Sequence, residues 1–154
     1  MNPGGTSVLR LLVLCTHNSA RSQMAEGWLR HHARALGLEA EVHSAGTTRT
    51  RVKPEALRVM AEVGIDLSAH RSKTLEDLPD PWRFSVVWSV CDSAAEACPV
   101  YPAGTTRLHL AVADPSGQAL AEWRRVRDLL GEMSRRLVVA LRSGEELSEE
   151  ALEP

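Results

Sequence analysis

One nearly unbroken apolar run near the N-terminus, Val8-Leu9-Arg10-Leu11-Leu12-Val13-Leu14, narrows the choice of fold more than any other feature of this chain. Only Arg10 interrupts it, so both faces of an extended segment here are apolar. That is the pattern of a central strand in a parallel sheet covered on both sides, not of an alternating, half-solvated strand. Directly after it come Cys15-Thr16-His17-Asn18-Ser19-Ala20-Arg21-Ser22. From Ser22 onward Met24, Ala25, Trp28, Leu29, Ala33 and Leu36 keep helical spacing, and Gly37 supplies a stop. Strand, short polar turn and helix open a parallel α/β unit.

The alternation continues. Glu39–Ser44 is short and alternating, a second strand, followed by the loop Ala45-Gly46-Thr47-Thr48. Pro54 starts a helix with Ala56, Leu57, Met60, Ala61 and Val63 inward, closed by Gly64. A short helix is expected near Leu75–Leu78, a third strand over Phe84–Val90 and a brief fourth over Arg107–Leu110. Pro99 and Pro102 keep the Cys91–Pro102 stretch a loop, and Asp114-Pro115-Ser116-Gly117 is a turn. Ala119–Leu141 forms a long amphipathic helix. The expected fold is a single α/β domain over residues 8–142. It holds a four-stranded open parallel sheet with right-handed crossovers and helices on both faces. Residues 1–7 read as a flexible lead-in. Residues 143–154, with five glutamates, read as a frayed, solvated acidic tail.

The turn after the first strand carries the chemistry. Backbone N–H groups of Thr16 to Ser22 aimed inward make an anion nest, and the helix that follows adds its positive N-terminal end. Arg21 grips two oxygens of a tetrahedral oxyanion at once. The same field favours thiolate over thiol at Cys15. The segment Thr16, His17, Asn18, Ser19, Ala20, Arg21 and Ser22 thus holds an anion while Cys15 attacks its central atom. Ligands of such sheets bind outside the carboxyl ends of the strands. The Cys15, Cys91 and Asp114 loops each follow a strand and are expected to meet at that edge.

Bulk properties exclude other classes. A net charge of −2 gives no electrostatic case for nucleic acid or an anionic membrane. No apolar run approaches the ~20 residues of a membrane helix. The N-terminus lacks a signal-peptide core, and a reducing, cytoplasmic location is expected. Three cysteines then argue against a structural disulfide. Cys91 and Cys98 lie seven positions apart with nothing nearby to complete a zinc site, so no metal is expected. They are either two unrelated buried cysteines or a thiol relay. In the relay, Cys91 attacks an adduct on Cys15 and Cys98 takes over by thiol–disulfide exchange. Asp114 is either a turn residue or an acid that protonates a leaving oxygen.

Cys15-Thr16-His17-Asn18-Ser19-Ala20-Arg21-Ser22-Gln23-Met24-Ala25-Glu26-Gly27-Trp28 resembles the active-site segment of thioredoxin-coupled arsenate reductases of the low-molecular-weight protein tyrosine phosphatase fold. Ser44-Ala45-Gly46-Thr47, Val63-Gly64-Ile65-Asp66-Leu67, Val90-Cys91-Asp92 through Cys98-Pro99, and Asp114-Pro115 with Trp123-Arg124-Arg125-Val126-Arg127-Asp128 extend the likeness over about residues 8–140. The Cys15–Arg21 loop marks the superfamily, and the Cys91/Cys98 pair marks the reductase branch. The resemblance implies reduction of arsenate to arsenite. Cys15 is the nucleophile, Arg21 the clamp and Asp114 the acid. Cys91 and then Cys98 resolve the adduct, ending in a Cys91–Cys98 disulfide that thioredoxin reduces, with no other cofactor. It implies that Asn18 shapes the loop and that Ser22 donates to the Cys15 thiolate. Arsenate is the expected ligand, phosphate and sulfate compete, and the protein is expected as a monomer. The alternative is a low-molecular-weight phosphatase of phosphotyrosine or aryl phosphates, which needs Cys15, Arg21 and Asp114 only. Its activity is expected at least as a side reaction. Two departures stand out. His17 replaces a usual Gly and is expected to point to solvent. Lys73 stands where relatives that bind potassium beside Asn18, Glu26 and Ser44 carry an Asp, so its ammonium is expected to replace that ion.

Overall fold

The computed structural model describes residues 8–92, 101, 102 and 104–154. The expected lead-in, residues 1–7, and the Cys98 end of the expected relay lie outside them.

The run that opens the chain becomes β1, Leu9–Leu14, and β2 is Ala40–Ala45, β3 Val86–Ser89 and β4 Thr106–His109. The four form one parallel sheet in the order β2-β1-β3-β4. β1 is therefore central, as its two apolar faces require. Leu14 lies level with Ala45 on one side and Ser89 on the other. β3 is shorter than its apolar composition implied. Its ladder bonding nonetheless runs further, because Ser85 N–H donates to the Arg10 carbonyl and Val90 N–H to the Leu14 carbonyl.

Alternation along the strands divides the core in two. Leu11, Val13, Val86, Trp88 and Leu108 face a large cluster built with α1 (Arg21–Leu36), α2 (Pro54–Glu62) and α3 (Leu120–Ser143). Leu12, Leu14 and Val87 face a smaller one. Among the described residues this second cluster is completed by Ala45, Leu78, Phe84 and Tyr101, with Leu75 from a 3₁₀ turn over Leu75–Asp77. Helices α1 and α3 lie close because Gly131 has no side chain. A Cβ there would sit 2.7 Å from the Trp28 ring, whose indole N–H instead donates to the Arg127 carbonyl at 2.9 Å.

The acidic C-terminus is exposed along most of its length, but its end is ordered where the sequence predicts fraying. Glu149–Leu152 forms a short helix, α4, whose N-cap Ser148 accepts from Ala151 N–H. Leu152 is 2% exposed within the main core cluster, and a Glu149 carboxylate oxygen accepts from His109 N–H at 2.5 Å. Two leucines, Leu147 and Leu152, outweigh the charge around them by having apolar surface to bury against α3.

Candidate active site

Between β1 and α1 the chain from Thr16 to Ala20 turns every carbonyl outward. The Thr16 carbonyl accepts from the N–H groups of Thr47 and Thr48, at 2.9 and 3.1 Å, and from the Thr47 hydroxyl at 3.2 Å. That of His17 accepts the hydroxyls of Thr50 and Ser72, at 3.0 and 2.9 Å. The Asn18 carbonyl accepts from the Gln23 amide at 3.1 Å, Ser19 from Lys53 N–H at 2.9 Å and Ala20 from Met24 N–H at 2.9 Å. In a planar trans peptide the carbonyl and the following N–H point opposite ways. Outward carbonyls at 16–20 therefore turn the N–H groups of 17–21 inward. Among the described residues the N–H groups of His17, Asn18, Ser19 and Ala20 meet no protein acceptor. This is an anion nest held open from outside.

A strap, residues 46–53, supplies most of that hold. It runs beside the loop in register, from Thr47 and Thr48 at Thr16 to Lys53 at Ser19. Gly46 lets it approach, since a Cβ there would lie 2.5 Å from the Thr16 carbonyl oxygen. Asn18 makes the loop's sharpest bend, at φ 50°, a conformation tolerated best by Asn and Gly. Its side chain, fully buried, donates to the Ser22 and Ser44 hydroxyls at 2.8 and 2.9 Å. Its Oδ1 accepts from Gln23 at 2.9 Å and from Lys73 N–H at 2.8 Å. The His17 side chain is exposed, so only its backbone carbonyl engages the strap.

The expected reactive groups meet at this edge. Cys15 directly follows β1, 3% exposed and a free thiol. Arg21 opens α1, 2% exposed, and donates to the Val112 carbonyl at 2.9 Å. Its second terminal nitrogen lies 3.7 Å from a carboxylate oxygen of Asp114, on the loop after β4. Asp114 is exposed toward solvent, with its other oxygen accepting from Ser116 N–H at 3.0 Å. Cys91 follows β3, fully buried, with its sulfur 3.3 Å from the Ser89 hydroxyl, and it is disulfide-bonded. Val90, just before it, bonds through its N–H to β1 and through its carbonyl to Val112. Neighbouring parallel strands, ~4.8 Å apart, thus carry Cys15, Cys91 and Asp114 to one rim.

Beneath the loop lies a charged cluster. Glu26, 4% exposed, accepts the Ser44 hydroxyl in a short hydrogen bond and meets Arg30 at 2.6 Å and the Lys73 ammonium at 3.6 Å. Burial pushes its carboxyl up, but Lys73, Arg30, His70 and Ser44 together hold it below the ordinary carboxylate range. Burial, partly opposed by Glu26, holds the Lys73 ammonium below an ordinary lysine. Both Glu26 oxygens thus answer to cations or a hydroxyl.

Sequence reasoning missed the strap residues Thr50 and Lys53 and the nearby Ser72, and it missed Gln23, which sits fully buried in the first turn of α1.

The model of the low molecular weight phosphotyrosine protein phosphatase family matches residues 10–151. The chain belongs to that family. Within it, the chain is 41% identical over 119 residues to arsenate reductase 2 of Staphylococcus saprophyticus, covering 77% of this chain and 88% of that one. It superimposes with TM-score 0.73 on a solved arsenate reductase in its oxidized state, 31% identical, over 86% of this chain and 98% of that one. An arsenate reductase in the phosphate binding state, also 31% identical, gives TM-score 0.70 at the same coverage.

Proposed function

We propose that this family member reduces arsenate to arsenite with a three-cysteine relay. The observation that carries the reading is the pair of sulfurs at the ends of adjacent strands, a free Cys15 inside the nest and a disulfide-bonded Cys91 beside it. Ester hydrolysis has no use for the second sulfur. The 41% identity to an arsenate reductase supports the same reading.

Arsenate sits in the nest with Arg21 across two of its oxygens. The Cys15 thiolate, with Ser22 as hydrogen-bond donor, forms a sulfur–arsenic bond. Asp114 gives a proton to the departing oxygen, which leaves as water. The Cys91 thiolate then attacks the Cys15 sulfur. A sulfur–sulfur bond forms, the sulfur–arsenic bond breaks, and its electron pair leaves with arsenic, now reduced from As(V) to As(III). Cys98 attacks the Cys91 sulfur, releases the Cys15 thiolate and leaves a Cys91–Cys98 disulfide. Thioredoxin, a dithiol, supplies the two electrons that reset it. The protein acts as a cytoplasmic monomer and needs no resident cofactor.

The test is consumption of NADPH by thioredoxin reductase and thioredoxin with the purified protein. Arsenate-dependent, multiple-turnover oxidation is expected, with slow cleavage of p-nitrophenyl phosphate alongside it. Ester cleavage with no arsenate-dependent oxidation would make the protein a phosphatase instead. With Lys73 as the resident cation, kcat/KM for arsenate is expected to be the same in sodium and potassium buffers. A strong rise with potassium would remove Lys73 from that role.

A further inference from the structure

Both ends of the Asn18 carboxamide lead back to one guanidinium. On one side Asn18 Nδ2 donates to the Ser44 hydroxyl at 2.9 Å, Ser44 donates to Glu26 Oε1, and Glu26 Oε2 meets Arg30 at 2.6 Å. On the other side Asn18 Oδ1 accepts from Gln23 Nε2 at 2.9 Å. Gln23 Oε1 faces His70 Nδ1 at 2.9 Å, and His70 Nε2 faces Arg30 Nη1 at 3.2 Å. The circuit Arg30, His70, Gln23, Asn18, Ser44, Glu26 is closed.

Arg30 fixes the polarity of its His70 arm, and that polarity agrees with the amide orientations that Lys73 N–H and the Arg71 carbonyl already impose on Asn18 and Gln23. A guanidinium only donates. His70 Nε2 must therefore accept, which puts the imidazole hydrogen on Nδ1. Nδ1–H must then donate to Gln23 Oε1, which fixes the Gln23 amide with its NH₂ toward Asn18. The carboxylate of Glu26 only accepts, so the Ser44 hydroxyl points at it and leaves its lone pairs for Asn18 Nδ2. Both routes demand the same orientation of the Asn18 amide. Burial, opposed by Glu26, holds His70 below an ordinary histidine, consistent with the neutral ring the circuit needs. Arg30 is anchored in turn by donating to the Val42 carbonyl at 2.6 Å.

We infer that Arg30, nine positions beyond Arg21 and with 43% of its side chain exposed, is a positioning residue for the oxyanion loop. It closes the ring between His70 and Glu26, selects the His70 tautomer and so braces Asn18 in its left-handed bend. The inference concerns anion binding alone and stands whichever reaction follows.

Two measurements test it. Inorganic phosphate binding by calorimetry is expected to weaken about tenfold in Arg30→Gln, the scale of a lost hydrogen bond to a charged group. Arg30→Lys is expected to fall between, since an ammonium restores the Glu26 pair but not the fork to His70. Arg34→Gln, one turn along the same helix and also exposed, is expected to bind as the parent does. Nitrogen NMR of the parent is expected to show His70 as the Nδ1–H tautomer, and of Arg30→Gln a mixture of tautomers. Parental phosphate affinity in Arg30→Gln, equal weakening in Arg34→Gln, or an Nε2–H tautomer in the parent would each overturn the assignment.

Discussion

Cys91→Ser is expected to stop after about one arsenate per molecule, while cleavage of p-nitrophenyl phosphate continues at the parental rate. The proposed chemistry asks Cys91 for one thing, attack on the Cys15 sulfur. Without it Cys15 stays bonded to arsenic and no second anion enters the nest. Ester cleavage discharges its Cys15 intermediate to water and never meets Cys91. Cys98→Ser is expected to stop one step later, with arsenite released and Cys15 joined to Cys91. Alkylation and mass measurement separate the two blocks. The first holds an arsenic adduct on Cys15, and the second has lost both thiols. The substitution at Cys91 is conservative in volume, and Ser89 already offers a hydroxyl at 3.3 Å for the new one to bond. Steady arsenate turnover by either variant would remove the relay while leaving the fold and the nest untouched.

Arg21→Lys is expected to lower kcat/KM for arsenate and for p-nitrophenyl phosphate alike, by about 10³-fold, the upper range for losing one oriented donor to a developing anion. Arg21 is fixed before any ligand arrives. It is 2% exposed, bonded to the Val112 carbonyl and 3.7 Å from Asp114. A lysine keeps the charge but presents a point donor on a flexible stem and cannot span two oxygens. The Asp114 carboxyl also loses the neighbour that holds it over the nest. A drop of less than tenfold for both substrates would mean that the nest N–H groups carry the anion without the clamp.

The two expectations differ in how far the sequence could support them. The Cys15–Arg21 unit was legible because its parts are close in the chain. An apolar strand, seven polar or small residues and an amphipathic helix specify one another within about thirty positions, and the residue types state the chemistry. Asp114 and Cys91 can be put near the rim from topology, because strand ends of a parallel sheet share an edge, and in the structure Asp114 lies 3.7 Å from Arg21. The strap, and Ser72 beside it, were not legible. Thr47, Thr50, Ser72 and Lys53 act on backbone carbonyls 31 to 55 residues away, and a hydrogen bond to a carbonyl leaves no mark on the residue type that receives it. The Arg30 circuit was hidden for the same reason. Six ordinary side chains become informative only when their distances are known. The tail was misread because its glutamates were weighed as a group, whereas the position of Leu152 decided the outcome.

That tail has a bearing on how the protein keeps company with its own copies. β4 is the outermost strand, and the amide of His109 faces away from β3, the direction from which a foreign strand would add. Glu149 covers that amide with a carboxylate. An anion parked on the rim donor both satisfies it and repels the backbone oxygen of any incoming chain. The α4 turn thereby covers one open donor of the sheet's edge, and Glu149→Gln is expected to raise light scattering at temperatures below unfolding.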